Sequence, residues 1–132
     1  MIFVDSSFWI AQLMQRDGRH RDAVRLGGLH AGQPLLTSNM ILGETWTFSC
    51  RRAGHRTATA WLDRVLVADE VSIETVTPDL EADAWEWLRV HDERPYSFVD
   101  ATSFTLMRRR GLTEALAFGG DFAAAGFLEL SA

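Results

Sequence analysis

The chain contains no lysine, and all 13 of its basic residues are arginine. That absence excludes mechanisms built on a side-chain amine: the P-loop lysine, Schiff-base chemistry and the receiver-type phosphoaspartate switch. Cysteine is nearly absent too. Cys50 stands alone, so neither an internal disulfide nor a cysteine-based zinc cluster is available, and it reads as a small buried hydrophobe. No apolar run approaches the roughly 20 residues that span a bilayer. The opening Met1-Ile2-Phe3-Val4-Asp5 has no basic segment ahead of its apolar residues, unlike a signal peptide. A reducing, cytoplasmic setting away from membranes is therefore expected. Repeats, low-complexity tracts and Pro/Gly/Ser linkers are missing, so residues 1–132 read as a single domain.

What is present suits a packed core: 47% of residues are hydrophobic and 11% aromatic. The formal net charge is −5, which disfavours passive electrostatic coating of nucleic acid. Carboxylates that hold divalent cations escape this objection, because the metal inverts the local charge.

Apolar patterning alternates between strand and helix. Ile2-Phe3-Val4 reads as a buried strand, and Asp5-Ser6-Ser7 offers caps to a helix ending near Met14. A second helix spans His20 to Gly28, stopped by Gly27-Gly28. Residues 34–37 form the next strand, and Ser38 or Asn39 caps a long helix towards Gly54. A further helix runs from Arg56 to Val67, and residues 71–75 alternate at period two. Pro78 opens another helix, a polar loop covers 92–97, and a helix runs from Phe98 to Arg110 with Gly111 as its stop. Short strands at 116–118 and 127–130 close the chain. The alternation predicts a three-layer α/β/α sandwich on a central, mainly parallel sheet.

Functional groups in such a sheet gather beyond the carboxyl ends of the strands. Asp5 ends the first strand, and Glu44 sits in the second turn of the helix after the second. Asp100 opens a helix, and Asp121 follows the strand at 116–118. Each has a bland alternative: Asp5 as a helix cap, Asp100 and Asp121 as macrodipole partners, Glu44 as a solvent-facing residue. The apolar neighbours Leu42 and Trp46 argue for a buried Glu44, and a buried carboxylate needs a counter-charge. Four acids at one edge would repel unless a cation neutralised them. Without lysine, that cation is a metal or an arginine. Oxygen-only ligands indicate Mg²⁺ or Mn²⁺ rather than zinc, and the four scattered histidines lack ligand spacing.

These motifs resemble a known family in order. Phe3-Val4-Asp5-Ser6-Ser7-Phe8-Trp9-Ile10-Ala11 looks like the opening of PIN-domain ribonucleases of the VapC toxin type. Leu35 to Asn39 with Leu42-Gly43-Glu44-Thr45-Trp46 resembles their second motif, and Ser97-Phe98-Val99-Asp100-Ala101-Thr102-Ser103-Phe104 their third. Ala117-Phe118, Asp121-Phe122 and Ala125-Gly126-Phe127 resemble the fourth. The resemblance implies a PIN fold and metal-dependent endonucleolytic cleavage of RNA. It also implies a homodimer and a VapB-type antitoxin that blocks the acidic site. It places Asp5, Glu44 and Asp100 at the positions of metal-binding acids, with Asp5 and Asp100 as the direct ligands. The fourth motif departs from the pattern: relatives carry Asp directly after the strand's Phe, where this chain has Gly119, and Asp121 stands two residues later.

The expected chemistry is hydrolysis by metal-activated water, leaving a 5′-phosphate, with a second ion near Glu44 and Asp121 at the leaving oxygen. Arg51, Arg52 or the Arg108-Arg109-Arg110 run could contact RNA phosphates, although basic residues also suit a helix C-terminus. The rival is a catalytically degenerate PIN protein that binds RNA or a protein without cutting, motivated by Gly119. A haloacid-dehalogenase-like phosphatase would need Asp at Ser7 and a later lysine.

Overall fold

A computed structural model of the chain describes residues 1–132. The strands are β1 (Ile2–Val4), β2 (Leu35–Ser38), β3 (Val71–Glu74), β4 (Glu114–Leu116) and β5 (Leu128–Glu129). They form one sheet in the order β3-β2-β1-β4-β5, with every neighbouring pair parallel. Helices α1 (Ser6–Leu13) and α2 (His20–Leu29) link β1 to β2, and α3 (Asn39–Ala53) and α4 (His55–Val67) link β2 to β3. Helices α5 (Pro78–Val90) and α6 (Phe98–Arg110) lead to β4, and α7 (Asp121–Ala124) leads to β5.

Chain direction reverses once. From β1 the strands are added outward to β3, then the chain returns past β1 to place β4 and β5 on the other side. Right-handed crossovers therefore put α1 to α4 on one face and α5 to α7 on the other. The packing agrees: α1 contacts α2 and α3, α3 contacts α4, and α5 contacts α6. The expected α/β/α sandwich is the observed architecture, and the sheet is parallel throughout. The reversal between β1 and β4 is the topological switch point, where ligand sites form in open α/β sheets.

The core forms because the central strands carry apolar side chains on both faces, as parallel strands covered by helices must. Phe3, Leu36 and Ala115 are fully buried. Helix α6 is buried from Ala101 through Met107, so its hydroxyls need partners. Thr102 and Ser103 donate to the Val99 carbonyl at 2.7 and 3.0 Å, and Thr105 donates to that of Ala101 at 2.8 Å. Such back-bonding satisfies a buried hydroxyl inside its own helix. No helix is long and apolar enough to cross a membrane.

Several boundaries differ from the sequence reading for local reasons. Gly27 and Gly28 lie inside α2 rather than ending it. At Gly27 an added Cβ would meet only the Gln12 amide nitrogen, at 2.6 Å, the movable end of a flexible side chain on α1. Strand β4 ends at Leu116, not Phe118, because the Phe118 N–H leaves the ladder to donate to Ser7 Oγ at 3.0 Å. Strand β5 contracts to Leu128–Glu129, and the one-turn α7 precedes it.

Phe104 is the hub of the α6 face. Its ring centre lies 4.9 Å from that of Phe122, 5.2 Å from Trp87, and 5.7 Å from both Tyr96 and Phe127. Phe104→Ala should lower unfolding free energy by about 3–5 kcal/mol, measured by urea titration at unchanged far-UV circular dichroism. A loss below about 1 kcal/mol would show that the cluster recloses around the gap.

Candidate active site

The carboxyl end of β1 delivers Asp5 to the switch point. Its backbone N–H donates to the Leu116 carbonyl at 3.0 Å, holding it between β1 and β4. Its side chain caps α1: Oδ2 accepts from the Ser7 N–H at 3.2 Å and from Ser7 Oγ at 2.6 Å. Ser7 Oγ in turn accepts from Phe118, so one hydroxyl ties Asp5 to the segment after β4. Both side-chain hydrogen bonds of Asp5 fall on Oδ2, although the residue is only 7% exposed.

Asp100 arrives from the opposite face at the third position of α6. Ser97 Oγ accepts from the Asp100 N–H at 2.9 Å, and Asp100 Oδ2 accepts from the Ser97 N–H at 3.0 Å. This reciprocal capping box orients the carboxylate and satisfies two free N–H groups of the helix start. Glu44, on α3, is exposed rather than buried. The apolar neighbours that suggested burial, Leu42 and Trp46, lie two positions away, on other sides of the helix. Its Oε1 accepts from Ser6 Oγ, which joins α3 to the first turn of α1.

Asp121 opens α7 and is taken by an arginine. Arg94 donates to Asp121 Oδ1 from Nε at 3.0 Å and from Nη2 at 2.9 Å, and Nη2 also reaches the Gly119 carbonyl at 3.4 Å. The sequence reading missed Arg94. Only its place in the polar loop before Asp100 hinted at a role, since 27 residues separate it from its partner. Ser6 and Ser7 were legible as caps and Ser97 as the end of a polar loop, but none of them as a group that positions an acid.

Asp5 and Asp100 both feel the neighbouring acids. Burial pushes the Asp5 carboxyl up from 3.8 to about 6, with Asp100 and Glu44 adding to the rise and the two Ser7 hydrogen bonds opposing it. Burial also raises the Asp100 carboxyl, reinforced by Asp121 and Glu44 and opposed by Ser97. No three carboxylate, histidine or cysteine groups stand in ready-made coordination geometry, because Glu44, Asp100 and Asp121 are each engaged locally by Ser6, Ser97 and Arg94. The donors nevertheless fit a hard divalent cation. They are all oxygens, Asp5 has no cationic partner, and magnesium sites commonly use one or two carboxylates with the rest water. The free oxygens of Asp5 and Asp100 are the natural pair.

Gly119 has φ +102°, with open space where a Cβ would stand. An aspartate there would meet backbone strain, not a clash. The chain passes from Phe118 to α7 through Gly119 and Gly120, both at positive φ, and this turn aims Asp121 at Arg94. A separate cavity of about 460 Å³, lined by Trp9, Leu35, Trp61 and Val71 among others, opens at the amino ends of β2 and β3, away from the acids.

A parallel sheet with carboxylates converging on its switch point from β1, α3, α6 and the turn after β4 defines an acidic-site α/β protein of the PIN class. Residues 2–128 match the PIN domain family, and the chain belongs to it. Its relatives place it in the VapC type: it is 54% identical over 132 residues to a protein named 23S rRNA-specific endonuclease VapC20 in Mycobacterium tuberculosis strains CDC 1551 and H37Rv, covering 98% of each chain. A crystal structure of Mycobacterium tuberculosis VapC20, described as a sarcin–ricin loop cleaving toxin, superposes with a TM-score of 0.93 at 52% identity over the whole of both chains.

Two outcomes test the site's electrostatics. An Asp whose carboxyl is raised to about 6 costs no stability below its ordinary 3.8, an increasing amount between the two values, and a constant amount above. In chelator, Asp5→Asn should therefore raise stability at pH 7 by about 1–3 kcal/mol, a gain that vanishes near pH 4. Equal stability of the two proteins across that range would remove the assigned burial cost. Gly119→Asp should cost about 1–2 kcal/mol by thermal melting, despite the open space around it; no loss would mean the turn relaxes.

Proposed function

We propose that the chain is a metal-dependent endoribonuclease, the toxin of a toxin–antitoxin pair. In this reading residues 1–132 act as one cytoplasmic PIN domain that hydrolyses RNA phosphodiester bonds. The observation that carries it is the convergence of Asp5, Asp100, Glu44 and Asp121 on the β1/β4 switch point, with no cation beside Asp5. The named activity of the VapC20 relatives supports RNA as substrate, and the sarcin–ricin loop of 23S rRNA as the particular target.

Asp5 and Asp100 would hold Mg²⁺, or Mn²⁺ in its place. Such an ion, when bound, supplies Lewis acidity at the phosphodiester and lowers the pKa of its water. The protein supplies the rest. Ser7 and Ser97 fix the two carboxylates through Oδ2 and leave the other oxygens free. In this reading Glu44, which accepts from Ser6 Oγ, would take a proton from an attacking water. Arg94 holds Asp121 at the rim and keeps part of the site's negative charge compensated while it is empty. A VapB-type antitoxin that covers the acidic site, and a homodimeric state, belong to the same reading.

The test is cleavage of ribosomal RNA by purified, antitoxin-free protein with Mg²⁺ or Mn²⁺. Discrete fragments with 5′-phosphate ends should form, and EDTA or Asp5→Asn should slow them by on the order of 100-fold or more. Fragments that persist in EDTA, or that end in 2′,3′-cyclic phosphate, would overturn the metal mechanism. Folded protein that binds RNA without cutting would favour the degenerate reading, with Gly119 and the Arg94–Asp121 pair as its cause.

A further inference from the structure

The arginines divide into two sets. Those at the end of α6 are committed to the fold: Arg109 meets Asp83 at 2.5 Å and Asp79 at 3.0 Å, Arg110 Nε meets Glu74 at 2.7 Å, and Arg108 lies over the Trp87 and Phe127 rings. Nine of the 13 arginines have no carboxylate partner, and three of these, Arg16, Arg51 and Arg52, lie near the ends of α1 and α3. Arg16 and Arg52 line one open cleft of about 600 Å³ between the C-terminal ends of α1 and α3. The single acid of that cleft, Asp17, already accepts from the Arg19 N–H at 2.8 Å. In a chain of net charge −5, this is a local excess of unpaired positive charge.

The cleft also holds an aromatic ring. Phe48 is 37% exposed, and the Arg52 guanidinium lies over its ring at 5.1 Å. Phe48 follows Glu44 by four residues and Arg52 follows Phe48 by four, so all three share one stripe of α3. Each step advances about 6 Å along the helix. The stripe therefore runs from a candidate catalytic acid to an exposed ring and then to a free cation. A ring beside unpaired cations matches single-stranded nucleic acid, whose bases offer π-faces and whose backbone offers phosphates.

We propose that Phe48 stacks a nucleobase flanking the scissile phosphate, while Arg52 and Arg16 contact the adjoining phosphates of a single-stranded RNA segment. This rests on the ribonuclease reading above and adds a direction to it: the substrate strand leaves the carboxylates along α3 towards the end of α1. These are positioning residues, remote from the reacting atoms.

Two measurements test it. In the first, a single-stranded RNA carrying 2-aminopurine is titrated onto Asp5→Asn protein in EDTA. Fluorescence quenching should be lost with Phe48→Ala and kept with Phe48→Trp, and affinity should fall about five-fold or more for the alanine variant. Arg52→Ala and Arg16→Ala should each lower the slope of log affinity against log salt by about 0.7, the value for one single-strand phosphate contact. In the second, cleavage by the Mg²⁺-loaded protein should show KM raised in all three variants with kcat within about two-fold. A Phe48–Arg52 pair that served only α3 would shift melting temperature and leave quenching, salt slope and KM unchanged; that result overturns the proposal. Unchanged RNA affinity with weakened antitoxin binding overturns it as well, and assigns the cleft to protein. Quenching that depends on Phe48 in a protein that cleaves no RNA would sustain the platform while removing the nuclease reading.

Discussion

Burial of an ionisable carboxyl at the end of β1 is the constraint on which the site depends. Asp5 is placed by the sheet itself, through its N–H to Leu116, and is capped onto α1 through Ser7. It cannot move to solvent without breaking the β1–β4 junction. Its neighbours arrive on α3, α6 and the turn after β4, so the acids can neither separate nor avoid one another. Repulsion that a flexible surface would relieve by rotation is locked in by topology. Burial is the main cause of the raised Asp5 carboxyl, and the neighbouring acids add to it.

The protein meets this cost with local bonds rather than with a buried counter-charge. Ser6, Ser7 and Ser97 each donate to one carboxylate, and only Asp121, at the rim, receives an arginine. A lysine or arginine set against Asp5 would neutralise the site and also close it to other cations. The acids nearest the switch point are thus the ones left without positive partners. That division separates a site built for a ligand from an internal ion-pair network.

Much of this was legible in the sequence because strand and helix signals here are strong and local. Apolar runs ended by Asp or Ser marked β1 and β2, and the polar loop at 92–97 marked the start of α6. What escaped reading was short or distant. A one-turn helix such as α7 shows no periodicity, and β5, read as a strand at 127–130, was legible in type but not in length. Gly27-Gly28 looked like a helix stop because glycine commonly follows a helix end, yet both glycines continue α2. Glu44 illustrates a subtler limit: neighbours in sequence at i±2 do not share a helical face, so apolar flanks say little about burial. Arg94 pairs with Asp121 across a contact that no local pattern encodes.

The lack of lysine gains meaning once the arginines are placed. Along α5, α6 and β3 the planar guanidinium forks engage carboxylates in solvent-exposed pairs, which contribute little to stability. Their value there is orientation of α6, the helix that carries Asp100, against α5 and the sheet edge. At the junction of α1 and α3 the same residue type is left unpaired beside an exposed ring. One side-chain chemistry thus does opposite work on the two faces. On one it is consumed by acids in holding the site's scaffold; on the other, Arg16 and Arg52 stay free beside Phe48. A net charge of −5 describes neither face. What decides how an acidic protein meets a polyanion is which of its free cations stand beside other groups that suit it, and here Arg16 and Arg52 flank Phe48, on the helix that carries Glu44.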